Sequence, residues 1–416
     1  MFSPAGGVEL LIEGSPIPAS ADLARMRRAR GERLQTELES QGLDGLVLLG
    51  TSAVAYATGA RLPGLDSGRA ALVRPVAVVI RGEARPQLFT PFPGGAPPEL
   101  PEDRVHGGVV ADTEEGAADL VDMLHAWFPA GARLGADELS HPLAAALSDW
   151  DVVSASAVMG ASKLRKTPDE VACIRTAQRI NEMAMSTVVG ELRPGLRQVD
   201  LTATFLRRIH ELGATSNGID PIWQVMPPSR GDGPWTTHGD IAFPTSTSDR
   251  FLREGDVIWV DTGIHYEGYA SDFGRTWLVG ADPRPTERQR RQFERWTTVV
   301  DAVRAGCKPG VSALELGRAA ISANGGTKPW IDHFYLGHGV GTDSAEMPLV
   351  GTDLGERFDE RLVMQPGMVL VLEPVIWDEG ASGYRAEDVL VITDDGWAPL
   401  SDHDYWPFDS TPAAAP

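Results

Sequence analysis

The stretch REGDVIWVDTGIHYEGYASDFGRTWLV (253–279) decides the fold, because it occurs twice in altered form. Its opening, REGDVIWVDTG (253–263), parallels QPGMVLVLEPV (365–375) and sets Asp261 opposite Glu373. Tyr269-Ala-Ser-Asp272 likewise parallels Tyr384-Arg-Ala-Glu387. Upstream, RPGLRQVDL (193–201) parallels KPGVSALEL (308–316), at the same offset of 115 residues that separates Asp272 from Glu387. Each half also opens on a helix signal. Thr167-Pro-Asp-Glu170 is a capping box with Pro at the first helical position, and Thr286-Glu-Arg-Gln289 repeats the cap. Both halves therefore read helix, xPG turn, helix, strand, strand. A duplicated αββ unit folded face to face brings equivalent strands together about a pseudo-twofold axis, with the acids at the centre.

Each of those acids lies on or at the end of an apolar, β-branched run, where an ionised side chain is costly unless paired. Four converging carboxylates raise one another's pKa unless cations neutralise them. His338, in YLGHGVG (335–341), completes the set Asp261, Asp272, His338, Glu373 and Glu387. Two divalent ions would balance four carboxylates, and oxygen ligands with one imidazole suit Mn, Fe, Co or Zn. Singly the residues are weak signals: DTG is a common turn, Glu387 could pair with Arg385, and His338 sits between glycines in what reads as a loop. In order and in register with the repeat, they point to a two-metal hydrolytic centre.

On DTG…GYASDFGRTW, GHGVG, LEP and YRAED, with LRKTPDEVACIRTAQRI (164–180) at the domain junction, the chain resembles the pita-bread metallopeptidases. That family includes methionine aminopeptidase, Xaa-Pro aminopeptidase and prolidase, with creatinase as a metal-free relative. The resemblance covers about residues 20–400. It implies an α/β N-terminal domain followed by an α+β pita-bread catalytic domain, assembled as a homodimer. It also implies that Asp272 and Glu387 bridge two ions, Mn foremost, that Asp261 chelates one, and that His338 and Glu373 complete the other. A hydroxide on the metals would attack the polarised carbonyl of a C–N amide bond. Glu373 would carry the proton to the leaving nitrogen. Arg385 would orient the bridging carboxylate or a substrate group. His238, in TTHGD, would be a pocket histidine, although its spacing to Asp261 is longer than in the family.

One departure bears on activity. Peptidases of this group carry a second histidine seven residues after the ligand histidine; here HGVGTDSAEMP (338–348) places Ala345 there and keeps Glu346. Losing such a donor costs about 3 kcal/mol of transition-state stabilisation. His238, or His333 five residues before His338, is expected to compensate. The leading reading is an Xaa-Pro aminopeptidase or dipeptidase acting on a small peptide. The alternative is a small-molecule amide or amidine hydrolase, or a lyase, on the same scaffold, although Gly263 stands where the lyase branch has a second Asp. The least supported is a binding protein that kept the fold without the chemistry.

Composition agrees with an enzyme of this kind. A chain of 416 residues corresponds to roughly two to three domains. The net charge of −21 argues against a nucleic-acid partner. Only Cys173 and Cys307 are present, so a cytoplasmic, reducing setting without disulfides is expected. The start MFSPAGGVELLIEGSPIPAS lacks the basic and apolar blocks of a signal peptide. No apolar run approaches the roughly 20 residues that span a bilayer, so no membrane partner is expected. In the N-terminal third, Arg25–Gln41 reads as a helix ended by Gly42, followed by strands in 42–50, 75–82 and 86–92 and a helix near Gly116–Trp127. The boundary is expected within Ser154–Lys166, giving domains 1–160 and 161–416. His106, His125 and His141 lack acids at ligand spacing and read as packing or surface residues. Trp259 and Trp277 read as core, whereas Trp223 and Trp235 flank a loop-like stretch, 220–240, that would lie near the site.

Overall fold

The computed structural model describes residues 20–61, 73–226, 249–331, 335–378, 380 and 382–409. His238, His333, Trp235 and both chain ends fall outside these. The chain forms two compact units, Ser20–Asp169 and Glu170–Pro416.

The first unit starts with α1 (Leu23–Gln41), capped by the Asp22 carboxylate, which accepts the Arg25 N–H, and stopped by Gly42 at φ 63°. Then follow β1 (Gly45–Leu48), α2 (Thr51–Thr58), β2 (Val76–Ile80), β3 (Gln87–Phe89), β4 (Val105–His106) and α3 (Glu114–Leu124). The unit ends with β5 (Arg133–Ala136), α4 (His141–Ala146), β6 (Asp151–Ser154) and α5 (Ser156–Leu164). The strands make one mixed sheet in the order β4-β3-β2-β1-β5-β6. Both faces are covered: Val47 and Val78 pack with Leu120 and Leu134 on one side. Leu46 and Val79 pack with Leu34 and Val158 on the other. Burial on both sides explains why these strands read as unbroken apolar runs. The stretch read as a boundary holds a helix, α5, entered where the Ser154 hydroxyl accepts the Ser156 N–H. His106 packs on Phe89 and pairs its Nε2 with Gln87 Oε1 at 2.8 Å.

The second unit carries the duplication. Its first half is α6 (Pro168–Glu191), α7 (Gln198–Glu211), β7 (Ser216–Asn217), β8 (Ile222–Val225), β9 (Val257–Thr262), β10 (Ile264–Tyr266), β11 (Tyr269–Ala270) and β12 (Phe273–Leu278). The second half begins with α8 (Glu287–Gly306), α9 (Ala313–Ala323), β13 (Gly337–Gly339), β14 (Glu346–Val350) and α10 (Glu356–Arg361). It continues with β15 (Val369–Leu372), β16 (Val375–Trp377), β17 (Gly383–Arg385), β18 (Asp388–Ile392) and β19 (Trp397–Pro399). The sheets run β12-β9-β8 and β14-β13-β15-β18-β19, and the pairs β9–β12 and β15–β18 are both antiparallel.

The backbone repeats as the sequence does. In the xPG turns, Gly195 N–H donates to Leu252 C=O at 2.8 Å and Gly310 N–H to Met364 C=O at 3.0 Å. Both glycines have positive φ, 88° and 91°, which is why the turn keeps Gly in each half. Behind the first sheet, α6 and α7 cover Trp223, Ile258, Val260, Phe273 and Trp277. Trp223 is therefore a core residue, its Nε1 donating to Thr202 Oγ1 at 2.8 Å, and not part of an open loop. Among the described residues no helix is long and apolar enough to cross a membrane.

Candidate metal centre

Strand register sorts side chains between the core and the site. Ile222 and Gly274 both pair with Asp261, and Gln224 and Thr276 both pair with Trp259. Directly paired residues share a face, and so do residues two apart along a strand. One face of β8-β9-β12 thus carries Asp261 and Trp259, while Ile258 and Val260 turn to the core. Trp259 is buried as expected, but its ring lies beneath the Arg385 guanidinium, 4.0 Å from the centroid, on the site face.

The other acids sit at strand ends, where a side chain can turn toward the centre without breaking a ladder. Asp272 immediately precedes β12, and its N–H donates to Gln178 Oε1 at 3.2 Å. Glu373 immediately follows β15. Glu387 immediately precedes β18, and its N–H donates to Gly274 C=O at 2.9 Å, tying the two halves together. His338 lies on β13 where the pairing with β14 shifts register, a bulge that re-aims the side chain. Its Nδ1 lies 2.9 Å from Gly339 C=O, which can only accept, so Nδ1 carries a proton and Nε2 faces the acids.

The five residues converge. Asp261, Asp272 and Glu387 each present an oxygen within 4.8 Å of the others. His338 Nε2 lies 3.1 Å from Asp272 Oδ2 and 3.3 Å from Glu373 Oε1. Arg385 Nη1 reaches Asp261 Oδ2 at 3.2 Å and Nη2 reaches Glu387 Oε1 at 2.5 Å; Nη2 also contacts Glu373 Oε2. Even so, Asp261 Oδ1 and Glu387 Oε2 are buried with no hydrogen-bond partner, and Glu373 Oε1 makes no hydrogen bond beyond its 3.3 Å approach to His338 Nε2. Carboxylates are acceptors only, and orphaned buried acceptors are expensive. Arg385 and a charged His338 answer only two of four negative charges. Divalent cations fit the remaining lone pairs.

Without cations, burial governs titration. It pushes Asp261 up to about 7 against the pull of Arg385. It raises Glu373, and raises Glu387 well above the usual carboxylate range, again opposed chiefly by Arg385. Burial lowers His338, but its hydrogen bond to Asp272 and the charge of Glu373 outweigh this and carry it to about 9. For Arg385 burial is outweighed by Glu387, Glu373 and Asp261, so its guanidinium is held more firmly charged.

Sequence reading missed a supporting network on α6. Asn181 Nδ2 donates to Thr262 C=O at 2.9 Å and to Ser271 Oγ at 3.0 Å, and Thr262 Oγ1 donates back to Asn181 Oδ1 at 3.0 Å. This clamps the chain between Asp261 and Asp272. The signal was present as Gln178, Asn181 and Glu182, polar residues three to four apart on the helix face that the apolar Ile174, Ala177 and Met185 mark as buried. Ala345 is exposed in the turn before β14.

Two αββ repeats meeting at buried carboxylates and an imidazole define the class: a pita-bread metallohydrolase. The chain belongs to metallopeptidase family M24, whose model matches residues 172–394, and a Creatinase/Prolidase N-terminal domain matches residues 30–164. It is a hydrolase of that family. It is similar to the peptidase YqhT of Bacillus subtilis, 26% identical over 377 residues, covering 88% of this chain and 95% of that one. It is 30% identical to the Xaa-Pro dipeptidase of Pyrococcus furiosus over 236 residues, 56% of this chain and 62% of that one. The match to that relative thus spans about three fifths of its length. The prolidase of Thermococcus sibiricus shares the fold with a TM-score of 0.71 at 22% identity, covering 92% and 98% of the two chains. The X-Pro aminopeptidase of Thermotoga maritima does so with a TM-score of 0.70 at 19% identity, covering 90% and 98%.

Proposed function

We propose that the protein is a dinuclear metal-dependent aminopeptidase or dipeptidase that cleaves the amide bond before proline in short peptides. The observation that carries this is the convergence of four carboxylates with one imidazole, in which Asp261 Oδ1 and Glu387 Oε2 are buried without a hydrogen-bond partner while His338 Nε2 lies against Asp272 and Glu373. Asp272 and Glu387 would be the ligands common to both ions, Asp261 would help hold one of them, and His338 with Glu373 the other. When bound, two divalent ions, Mn foremost, supply charge neutralisation, water activation and carbonyl polarisation. Glu373 receives the water's proton and passes it to the leaving nitrogen. Arg385, in contact with Asp261, Glu373 and Glu387, holds these carboxylates in place. His238 or His333 is proposed to supply the carbonyl contact that Ala345 lacks. Two buried cysteines that form no disulfide support a cytoplasmic setting, and a homodimer is part of the same reading.

Ala345 also favours a second reading, a small-molecule amide or amidine hydrolase on the same scaffold. A panel of free and N-acetylated Xaa-Pro peptides, N-acyl amino acids and amidines, offered to Mn-loaded protein, separates the two. Cleavage of free Xaa-Pro peptides only is expected. Equal turnover of N-acetylated peptides, or turnover confined to non-peptides, contradicts the peptidase reading.

A further inference from the structure

Gln224 is 2% exposed, and both polar atoms of its carboxamide are buried with no hydrogen-bond partner. Among the described residues it is the only carboxamide with both its oxygen and its nitrogen orphaned in this way. Its neighbour on β8, Trp223, takes the core face, so the Gln224 amide takes the other one. That is the site face. A Cβ at Gly274, one pair along the same face, would lie 2.5 Å from Glu387 Cδ. Gln224 pairs directly with Trp259, which carries the Arg385 guanidinium, and is the diagonal neighbour of Asp261. Such diagonal positions are roughly 7–8 Å apart, about one side-chain length from the acids.

A buried amide that lacks every partner is costly in the free protein, and that cost disappears when something complementary arrives. An apolar residue of the same shape would pack there without the cost, so the amide marks a place where polarity is used. Deepening the peptidase reading above, and resting on it, we infer that Gln224 is a specificity-determining residue that hydrogen-bonds a polar side chain of the substrate. The substrate class is a short peptide whose residue beside the scissile bond bears a carboxamide or hydroxyl, in preference to an aliphatic group. A neutral amide offers both an acceptor and donors, which matches a second carboxamide. A site built to hydrogen-bond such a group discriminates against the analogue lacking it, because its own amide is then left unpaired.

The test compares Gln-Pro with Met-Pro, near-isosteres that differ in the carboxamide, on Mn-loaded full-length protein and on Gln224→Met. Affinity is read by calorimetry, turnover by proline release, and thermal stability without peptide. Wild type should favour Gln-Pro about tenfold or more, and Gln224→Met should bring the two peptides level. Gln224→Met should also melt a few degrees higher without peptide, since it removes an orphaned amide. Equal affinity for the two peptides in wild type, a preference that survives in Gln224→Met, or a lower melting temperature overturns the inference. Preferential binding of Gln-Pro without cleavage overturns the peptidase reading and leaves the role of Gln224 standing. Cleavage of both peptides without preference does the reverse, and binding of neither overturns both.

Discussion

Gly274 and Glu387 are closer than any side chain at 274 would allow: a Cβ there would lie 2.5 Å from Glu387 Cδ and 2.7 Å from Oε1. The first half thus leaves its strand bare where the acid of the second half enters, while Gly274 C=O holds the Glu387 N–H at 2.9 Å. The requirement is steric, because φ at this glycine is not in the left-handed region. Gly274→Ala should displace Glu387 and cut metal content from two ions to one or none, with circular dichroism unchanged. Full occupancy by elemental analysis would remove Glu387 from the ligand set.

The bridging roles proposed for Asp272 and Glu387 carry a sharper forecast. Asp272→Ala and Glu387→Ala should each lose both ions, whereas His338→Ala should lose the ion it completes and weaken the other. Retention of two ions in either bridging variant contradicts the assignment.

Arg385 touches three of the four acids, and in the absence of cations it is their main counter-charge. Removing one side of a buried charge cluster costs about 3–5 kcal/mol. Arg385→Met should therefore destabilise protein held in EDTA by about that amount and Mn-loaded protein by clearly less. Equal losses by chemical denaturation in the two states would show that the ions do not take over its role.

The repeat was legible because it is written in residue types with strict local demands: xPG turns, capping boxes, β-branched runs and acids at their ends. Asp261, Asp272, His338, Glu373 and Glu387 could be grouped because a doubled pattern dictates where equivalent positions meet. What the sequence concealed depends on which face a residue takes. Trp223 and Gln224 are adjacent, yet one is core and the other faces the site, and only the register with Val260 and Trp259 decides between them. The helix Ser156–Leu164 was hidden for a different reason, since its Ala, Gly and Ser residues make a short apolar stripe that does not stand out from a linker.

Titration of the centre should give stability a definite slope with pH. Carboxyls raised by burial, Asp261 up to about 7 together with Glu373 and Glu387, hold protons in the fold that the unfolded chain has released. Stability falls as pH rises through that window. His338, raised from 6.5 to about 9, contributes stability that is complete below 6.5 and lost as pH climbs through 9. Both effects have the same sign. Denaturation in EDTA should show stability falling from pH 5 to pH 9, and Mn should flatten or reverse that fall by replacing the protons. Rising stability with pH in EDTA would contradict the buried, metal-free cluster.

Glu182, on α6 behind the site, tests the same physics away from the ligands. Burial pushes it up to about 7, although its Oε1 accepts the Asp402 N–H at 2.7 Å and Arg179 stands 3.8 Å away. Its ordinary value is 4.5, so the folded protein carries a penalty that is absent below that pH, grows as pH rises to about 7, and is full above it. Glu182→Gln keeps an oxygen for the Asp402 N–H and cannot ionise. At pH 8 this variant should be more stable than wild type by on the order of 1–2 kcal/mol, and near pH 5 the difference should shrink toward zero. Urea titrations at the two pH values measure it. A variant less stable than wild type at pH 8 would mean that Glu182 is held ionised by Arg179 and by the buried guanidinium of Arg275 on β12, whose charges would then outweigh the cost of burial.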